Sequence, residues 1–193
     1  MRALLKEIDN KLQDPYRLKL KSAVLLCATS GLRSEELYKL RLEDVDVENR
    51  TIFVRAEIAK DYEDRITFFN LEAQEALLEY LSAVKLKPKD KPFSAKSIYH
   101  HFSKLNTRAG KVKLRMKHMR KFFSQQSDRL GMPTAIKKIL MGHVISDEEF
   151  VIPRGLDVDL THYDFQDEEE LKKIYDKYWR DFRIDPRGRP QVE

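Results

Sequence analysis

Polar side chains that could act on a phosphate fall into short clusters beside apolar segments. In chain order, the clusters are Gly31-Leu32-Arg33-Ser34-Glu35-Glu36-Leu37, Lys60, Lys117-His118-Met119-Arg120 and Met141-Gly142-His143, followed by Tyr163. A guanidinium stays protonated and donates hydrogen bonds in a planar fork, so two arginines suit the oxygens of a phosphodiester. A tyrosine hydroxyl, with a pKa of about 10, becomes a useful nucleophile where cations stabilise the developing phenolate. These residue types are therefore compatible with phosphoryl transfer.

In this order, the clusters resemble the tyrosine recombinase (integrase) family over about residues 16–182. The stretch 31–37 resembles the first conserved box of that family, Lys60 its β-hairpin lysine, and 140–143 its Leu-Gly-His motif. Lys117 stands where the family usually has the histidine of its His-x-x-Arg motif, as in some archaeal and viral members. The spacing from the last histidine to the tyrosine is also longer than is usual.

The resemblance assigns a role to each arginine and to the tyrosine. Arg33 and Arg120 would hold the scissile phosphate and stabilise the negative charge of its pentacoordinate transition state. Tyr163 would attack the phosphorus and leave a 3′-phosphotyrosyl link and a free 5′-hydroxyl. Tyr175 and Tyr178 are rivals for this role, but their spacing fits the apolar stripe of the last predicted helix.

The departing 5′-oxygen needs a proton, and a lysine in a hairpin can supply it. Lys60 is the candidate for this role. Arg65 and Lys117 could compete with it. We predict neither a cofactor nor a metal ion, since no spacing of acids and histidines matches a metal pattern.

Lys117 and His118 are alternatives for one position beside Arg120. Adjacent helical residues point about 100° apart, so only one of them can share the inward direction. We favour Lys117, which is three residues before Arg120 and would bind a non-bridging oxygen or assist proton transfer. His143 would donate to the phosphate or orient Tyr163.

The surrounding pattern predicts a mostly helical α+β domain with a small three-stranded antiparallel sheet, and the resemblance implies that this domain is the tyrosine recombinase catalytic core. Apolar periodicity predicts helices over about 3–13, 16–29, 71–84, 94–108, 116–130, 134–141 and 167–182, with a short helix capped by Ser34. Period-two patterning predicts strands near 45–47, 51–55 and 65–69. We expect residues 1–182 to form the catalytic domain and 183–193 a flexible tail.

Charge is distributed unevenly along the chain, whose net charge is +5. Residues 85–121 contain thirteen Lys or Arg and one acid, whereas residues 142–170 contain ten acids and one Arg. The basic segment would create a local positive potential that suits a phosphate backbone, so double-stranded DNA is the predicted partner. The acidic segment is expected to face a protein partner or to mask the basic surface.

The sequence also indicates where the protein works. Cys27 is the single cysteine, which excludes an intrachain disulfide, and no run approaches the about 18 apolar residues of a membrane span. The first residues contain charges instead of a signal-peptide pattern. We therefore predict no membrane partner and a cytoplasmic location, in the host cytoplasm if the source is viral.

The predicted function is site-specific DNA recombination. A type IB topoisomerase, a non-catalytic DNA-binding module of the same fold and an RNA-binding helical domain remain alternatives. The resemblance implies self-association, with four protomers on two duplexes and the C-terminal segment docking on a neighbour. Family members usually add an N-terminal DNA-clamping domain, so this catalytic domain alone is expected to bind DNA weakly.

Overall fold

A computed structural model describes residues 1–105, 108–109, 112–143 and 168–185, with the backbone alone for residues 108, 109 and 112. Its helices are α1 Arg2–Lys11, α2 Tyr16–Ser30, α3 Ser34–Lys39, α4 Leu71–Ser82, α5 Ala95–Ser103, α6 Lys117–Leu130, α7 Thr134–Met141 and α8 Glu168–Trp179. Its strands are β1 Val45–Asp46, β2 Thr51–Val54, β3 Arg65–Phe68, β4 Arg108–Ala109 and β5 Val112–Lys113. A single 3-10 turn, Leu42–Asp44, precedes β1.

Helix α2 forms the centre of the main hydrophobic core, where it packs against α4 and α6. Its sequence is apolar on nearly every side, as expected for a helix that is surrounded by others. Its buried hydroxyls donate to carbonyls, so no polar group is left unsatisfied there. The Ser22 hydroxyl reaches both Leu18 O in its own helix, at 2.9 Å, and Ala76 O in α4, at 2.6 Å.

Strands β1, β2 and β3 form an antiparallel sheet in that order, with Ile52 opposite Thr67. The Thr67 hydroxyl donates to Ser30 O at 2.7 Å. This buried bond joins β3 to the last residue of α2. The β2–β3 hairpin is thereby held beside the turn that follows α2.

Helix α8 packs on a second hydrophobic cluster of its own chain, formed by residues of β3, α6 and α7. Trp179 stacks on Phe123 with ring centroids 5.1 Å apart and donates to Ser127 Oγ at 3.0 Å. Two charged hydrogen bonds, of 2.8 and 2.6 Å, join Arg50 to Asp176. An ion pair to the turn before β2 and an aromatic contact with α6 therefore fix the C-terminal helix.

The predicted helical core with a three-stranded sheet is confirmed, but two local expectations were wrong. The helix predicted over 94–108 ends at Ser103, and a hairpin follows in which Arg108 pairs with Lys113. The cap of α3 is Arg33 instead of Ser34, because the Glu36 carboxylate accepts from the Arg33 backbone N–H at 2.8 Å.

Some residues of the predicted tail belong to the packed structure. Ile184 is buried in the main core. The backbone N–H groups of Ile184 and Asp185 donate to the Glu72 carboxylate at 2.6 and 2.9 Å. Residues 186–193 lie outside the described part of the chain.

Within that described part, no helix is long and apolar enough to cross a membrane.

Candidate phosphate-binding site

Arg33 lies between the end of α2 and the start of α3, and its side chain is bonded on two sides. Its Nη1 donates to Glu36 Oε1 at 2.8 Å, and its Nη2 donates to Gly142 O at 3.0 Å. These bonds connect the first polar cluster of the sequence to the cluster at 141–143. About a quarter of the side chain remains exposed.

Arg120 approaches the same two turns from α6. Its Nη1 donates to Gly31 O at 2.6 Å, and its Nη2 lies 2.8 Å from His143 Nε2. Burial and the neighbouring Arg33 guanidinium lower the pKa of Arg120 to about 10. Arg120 therefore remains protonated at neutral pH, beside a second permanent cation, and an anion there would relieve their repulsion.

Glycine is required at both turns, because each adopts a left-handed conformation and meets a side chain closely. Gly31 has φ +73, and a Cβ on it would lie 2.6 Å from Phe123 Cδ1. Gly142 has φ +64, and its Cβ would lie 2.8 Å from Arg65 Cδ. The turns thus bring backbone carbonyls close enough to accept from the two arginines.

His143 follows the second turn, where its backbone N–H donates to Lys138 O at 3.0 Å. Partial burial and the charges of Arg120 and Arg33 lower the pKa of His143 below its ordinary 6.5. The imidazole is therefore neutral at pH 7. Since a guanidinium can only donate, we assign Nε2 as the acceptor and place the ring proton on Nδ1.

A buried carboxylate beneath the cluster was not predicted from the sequence. Glu36 is 1% exposed and accepts from both Arg33 and Arg65, the latter at 3.0 and 2.6 Å. Burial alone would raise the pKa of Glu36, but the bonds and charges of the two arginines outweigh burial and lower it. The capping-box pattern begins with Ser or Thr, whereas the cap here is Arg33, so no sequence signal of that kind identified Glu36.

Lys60 lies in the turn between β2 and β3, and the residue is exposed. In the part of the chain that the structure describes, the Lys60 ammonium makes no hydrogen bond or ion pair. The carboxylate of the next residue, Asp61, lies beside Arg33. Its Oδ1 is 4.0 Å from Arg33 Nη1, and among the described residues this buried oxygen has no hydrogen-bond partner.

At the start of α6, His118 is held by a backbone hydrogen bond, whereas Lys117 is exposed. His118 Nδ1 accepts from the Arg115 backbone N–H at 2.8 Å, so this ring is engaged in the turn that begins the helix. Lys117 is exposed and borders a cavity of about 330 Å³ that Tyr38 and Phe102 also line. Its side chain does not join the bonded group of Arg33, Arg120 and His143 in the described structure.

The predicted nucleophile, Tyr163, lies outside the described residues, so its position relative to the arginines stays a prediction. Tyr175, the first rival for the role of nucleophile, has a structural role in the core. The Tyr175 hydroxyl is fully buried and donates to Thr29 O at 2.9 Å, and burial raises its pKa well above 10. Tyr178 packs at the margin of the second cluster as a partly buried residue.

Comparisons with known proteins agree with this architecture. Residues 1–148 match the model of the phage integrase family. Tyrosine recombinase XerA of Saccharolobus solfataricus is 32% identical over 139 residues, which are 71% of this chain and 46% of that protein. The chain therefore spans about half the length of this curated relative.

Two solved structures show the same fold. The crystal structure of XerA recombinase superposes with a TM-score of 0.59 at 21% identity, covering 77% of this chain and 57% of that one. The Tn1549 transposon integrase, solved with a circular intermediate DNA, gives 0.55 at 20% identity, covering 75% and 56%. Because the family model spans well over half of the sequence, the chain belongs to the phage integrase family.

Proposed function

We propose that this chain is the catalytic domain of a site-specific DNA recombinase that cleaves and rejoins DNA through a 3′-phosphotyrosyl intermediate. One observation carries the proposal: Arg33 and Arg120, 87 positions apart, converge on the turns at Gly31 and Gly142. A phosphate bound between two guanidiniums would receive charge-assisted hydrogen bonds on its non-bridging oxygens. Two fixed cations suit the added negative charge of a phosphoryl transition state.

In the proposed reaction, the Tyr163 oxygen attacks phosphorus and releases its proton to solvent water while the bond from phosphorus to the 5′-oxygen breaks. Lys60 would give a proton to the departing 5′-oxygen, because the turn that carries it leaves its ammonium exposed. The phosphotyrosyl ester retains the energy of the broken linkage. The reverse attack by the 5′-hydroxyl therefore needs no nucleotide hydrolysis.

His143 and Lys117 would assist at the phosphate. His143 Nε2 accepts from Arg120, so it can donate to a phosphate oxygen only after it gains a proton or changes partner. Lys117 would turn from the exposed start of α6 toward a non-bridging oxygen. Both roles are proposals that depend on bound DNA.

The proposed partner is double-stranded DNA, which is also bound in the solved Tn1549 integrase structure. In this chain, the basic segment 85–121 and the arginine cluster support the same partner. We further propose that four protomers assemble on two duplexes in the cell's DNA-containing compartment, the cytoplasm. Lys117 supports an archaeal viral source, in which the reaction would integrate a viral genome.

A nicked suicide duplex tests the chemistry. Such a substrate loses its 5′-hydroxyl fragment after cleavage, so the covalent protein–DNA adduct accumulates and is visible on a denaturing gel. We expect the adduct with the wild type, Tyr175→Phe and Tyr178→Phe, and none with Tyr163→Phe. An adduct that survives Tyr163→Phe would show that the nucleophile is another residue, and plasmid relaxation without Holliday-junction resolution would indicate a topoisomerase.

A further inference from the structure

Arg65, the first residue of β3, contacts two separate parts of the phosphate-binding site. Its Nη1 and Nη2 donate to the two Glu36 oxygens at 3.0 and 2.6 Å, and its Nε donates to Leu140 O at 3.4 Å. The side chain is 9% exposed. A bidentate pair between a strand and a helix start fixes the relative position of both elements.

The first contact determines how Arg33 is held. Glu36 accepts one side-chain bond from Arg33, through Nη1, while Arg65 occupies both carboxylate oxygens. Because Arg65 takes both oxygens of Glu36 and Arg33 uses only Nη1 there, Arg33 Nη2 is left to donate to Gly142 O. Without Arg65, Arg33 would be the nearest cation left to neutralise a buried carboxylate, which would draw its fork inward.

The second contact determines the place of His143. The Arg65 side chain packs directly on the turn at Gly142, where an added Cβ would collide with its Cδ, Nε and Cζ. His143 is the next residue and bonds to Arg120. One side chain from the sheet therefore sets the spacing between the first arginine and the turn that carries the histidine.

Building on the proposed recombinase function, we infer that Arg65 is a positioning residue of the phosphate site. It acts through Glu36 on Arg33 and through the turn at Gly142 on His143. All three of its nitrogens already donate to protein acceptors. Arg65 therefore does not compete with Lys60 as the proton donor, which was the alternative left open by the sequence.

The test measures cleavage of a suicide duplex in single turnover at saturating DNA. Arg65→Gln is expected to slow cleavage by about 100-fold, the size of effect that a small misplacement of reacting groups produces, while DNA affinity changes much less. Arg65→Lys is expected to lose about tenfold or more, because an ammonium cannot form the bidentate fork. In an Arg33→Lys background, Arg65→Gln should add little, since both changes act on one interaction.

Arg55→Gln is the matched control. Arg55 directly follows β2 and donates two hydrogen bonds to the buried carboxylate of Asp44, as Arg65 does to Glu36. This variant should cleave at the wild-type rate. A second substrate carries sulfur in place of the bridging 5′-oxygen, so its leaving group departs without a proton. That substrate should restore cleavage by Lys60→Ala but not by Arg65→Gln.

The outcomes separate the two ideas. A wild type that forms no Tyr163-dependent adduct overturns the proposed function itself. A competent wild type with an equally fast Arg65→Lys overturns only the positioning role, and the same holds if the sulfur substrate rescues Arg65→Gln. If Arg65→Gln is unfolded by circular dichroism, the charge-retaining Arg65→Lys decides the question.

Discussion

At the scale of single residues, the site is a balance of charges. Arg33 and Arg65 pair with one buried carboxylate, Glu36, and Arg33 also lies near a partly exposed carboxylate, Asp61. Glu36 is fully engaged and anchors Arg33. Asp61 is different, because its buried Oδ1 faces Arg33 at 4.0 Å and accepts no hydrogen bond from any residue that the structure describes. It lies where it would repel an arriving phosphate.

We therefore predict that Asp61→Asn strengthens DNA binding. Two charges 4 Å apart near a surface attract by about 4 kcal/mol, and screening at partly exposed side chains leaves about 1 kcal/mol, or about a fivefold lower Kd. Fluorescence anisotropy with a labelled duplex measures the change. Glu63→Gln is the control, because it removes the same charge from an exposed position of the same hairpin and should change the Kd less. Equal effects of the two substitutions would refute a specific role for Asp61.

At the scale of elements, the site depends on helix ends. Helix α2 stops at Gly31, α7 stops at Gly142, and both glycines have a left-handed backbone. The resulting turns offer carbonyl oxygens to Arg120 and Arg33, while the hydrogen bond from Thr67 to Ser30 O holds the sheet beside them. Ordinary capping geometry therefore creates the acceptors that orient the guanidiniums.

Gly31→Ala is predicted to destabilise the protein more than Gly131→Ala does. Both positions have left-handed φ values, +73 and +80, so both substitutions incur strain of about 1 kcal/mol. The Cβ at 31 also collides with Phe123, which is fully buried, whereas nothing lies within 4 Å of the Cβ at 131. The collision should add about 1–3 kcal/mol.

Urea unfolding measures this difference as a shift of the midpoint at constant slope. Gly131→Ala provides the backbone-strain control at the end of α6. Equal losses in the two variants would mean that Phe123 moves aside without cost.

At the scale of the whole molecule, buried apolar side chains hold the elements together, whereas exposed cations are available for a nucleic-acid backbone. The apolar faces of α2 and α8 bury two clusters that bring elements from both ends of the chain together. The basic segment 85–121 adds exposed cations, including Lys96 on α5 and Lys113 in β5. Exposed cations contribute little to folding but release counterions when they contact a nucleic-acid backbone.

The salt dependence of DNA binding should report this surface. We predict that Lys96→Ala reduces the slope of log K against log salt by about 1, because one phosphate contact is lost. Lys6→Ala, at an exposed position of α1 outside the basic segment, should leave the slope unchanged. Titrations of one duplex at several salt concentrations would show the slope. Identical slopes for wild type and Lys96→Ala would exclude that residue from the contact surface.

The sequence by itself determined the family resemblance, the helical core and the three-strand sheet, because apolar periodicity and the Gly-Leu-Arg and Gly-His turns are local signals. It also nominated Arg33, Arg120 and His143, since only a few residue types suit a phosphate; the structure brings these three together, and their roles at a phosphate stay predictions. The short hairpin of β4 and β5 was missed, because strands of two residues carry almost no periodic signal.

Tertiary structure alone decided how the residues are held. Arg33 bonds to a carbonyl 109 positions away, and Arg65 pairs with an acid 29 positions away. Such contacts cannot be inferred from local spacing. The sequence therefore left Arg65 as a possible proton donor, although each of its three guanidinium nitrogens donates to a protein acceptor. The exposure of Lys60 and the position of the Asp61 carboxylate beside Arg33 are likewise set by the tertiary structure, in which Arg65 joins β3 to Glu36 of α3. Sequence specifies which groups can do the chemistry, whereas packing specifies which of them are free to do it.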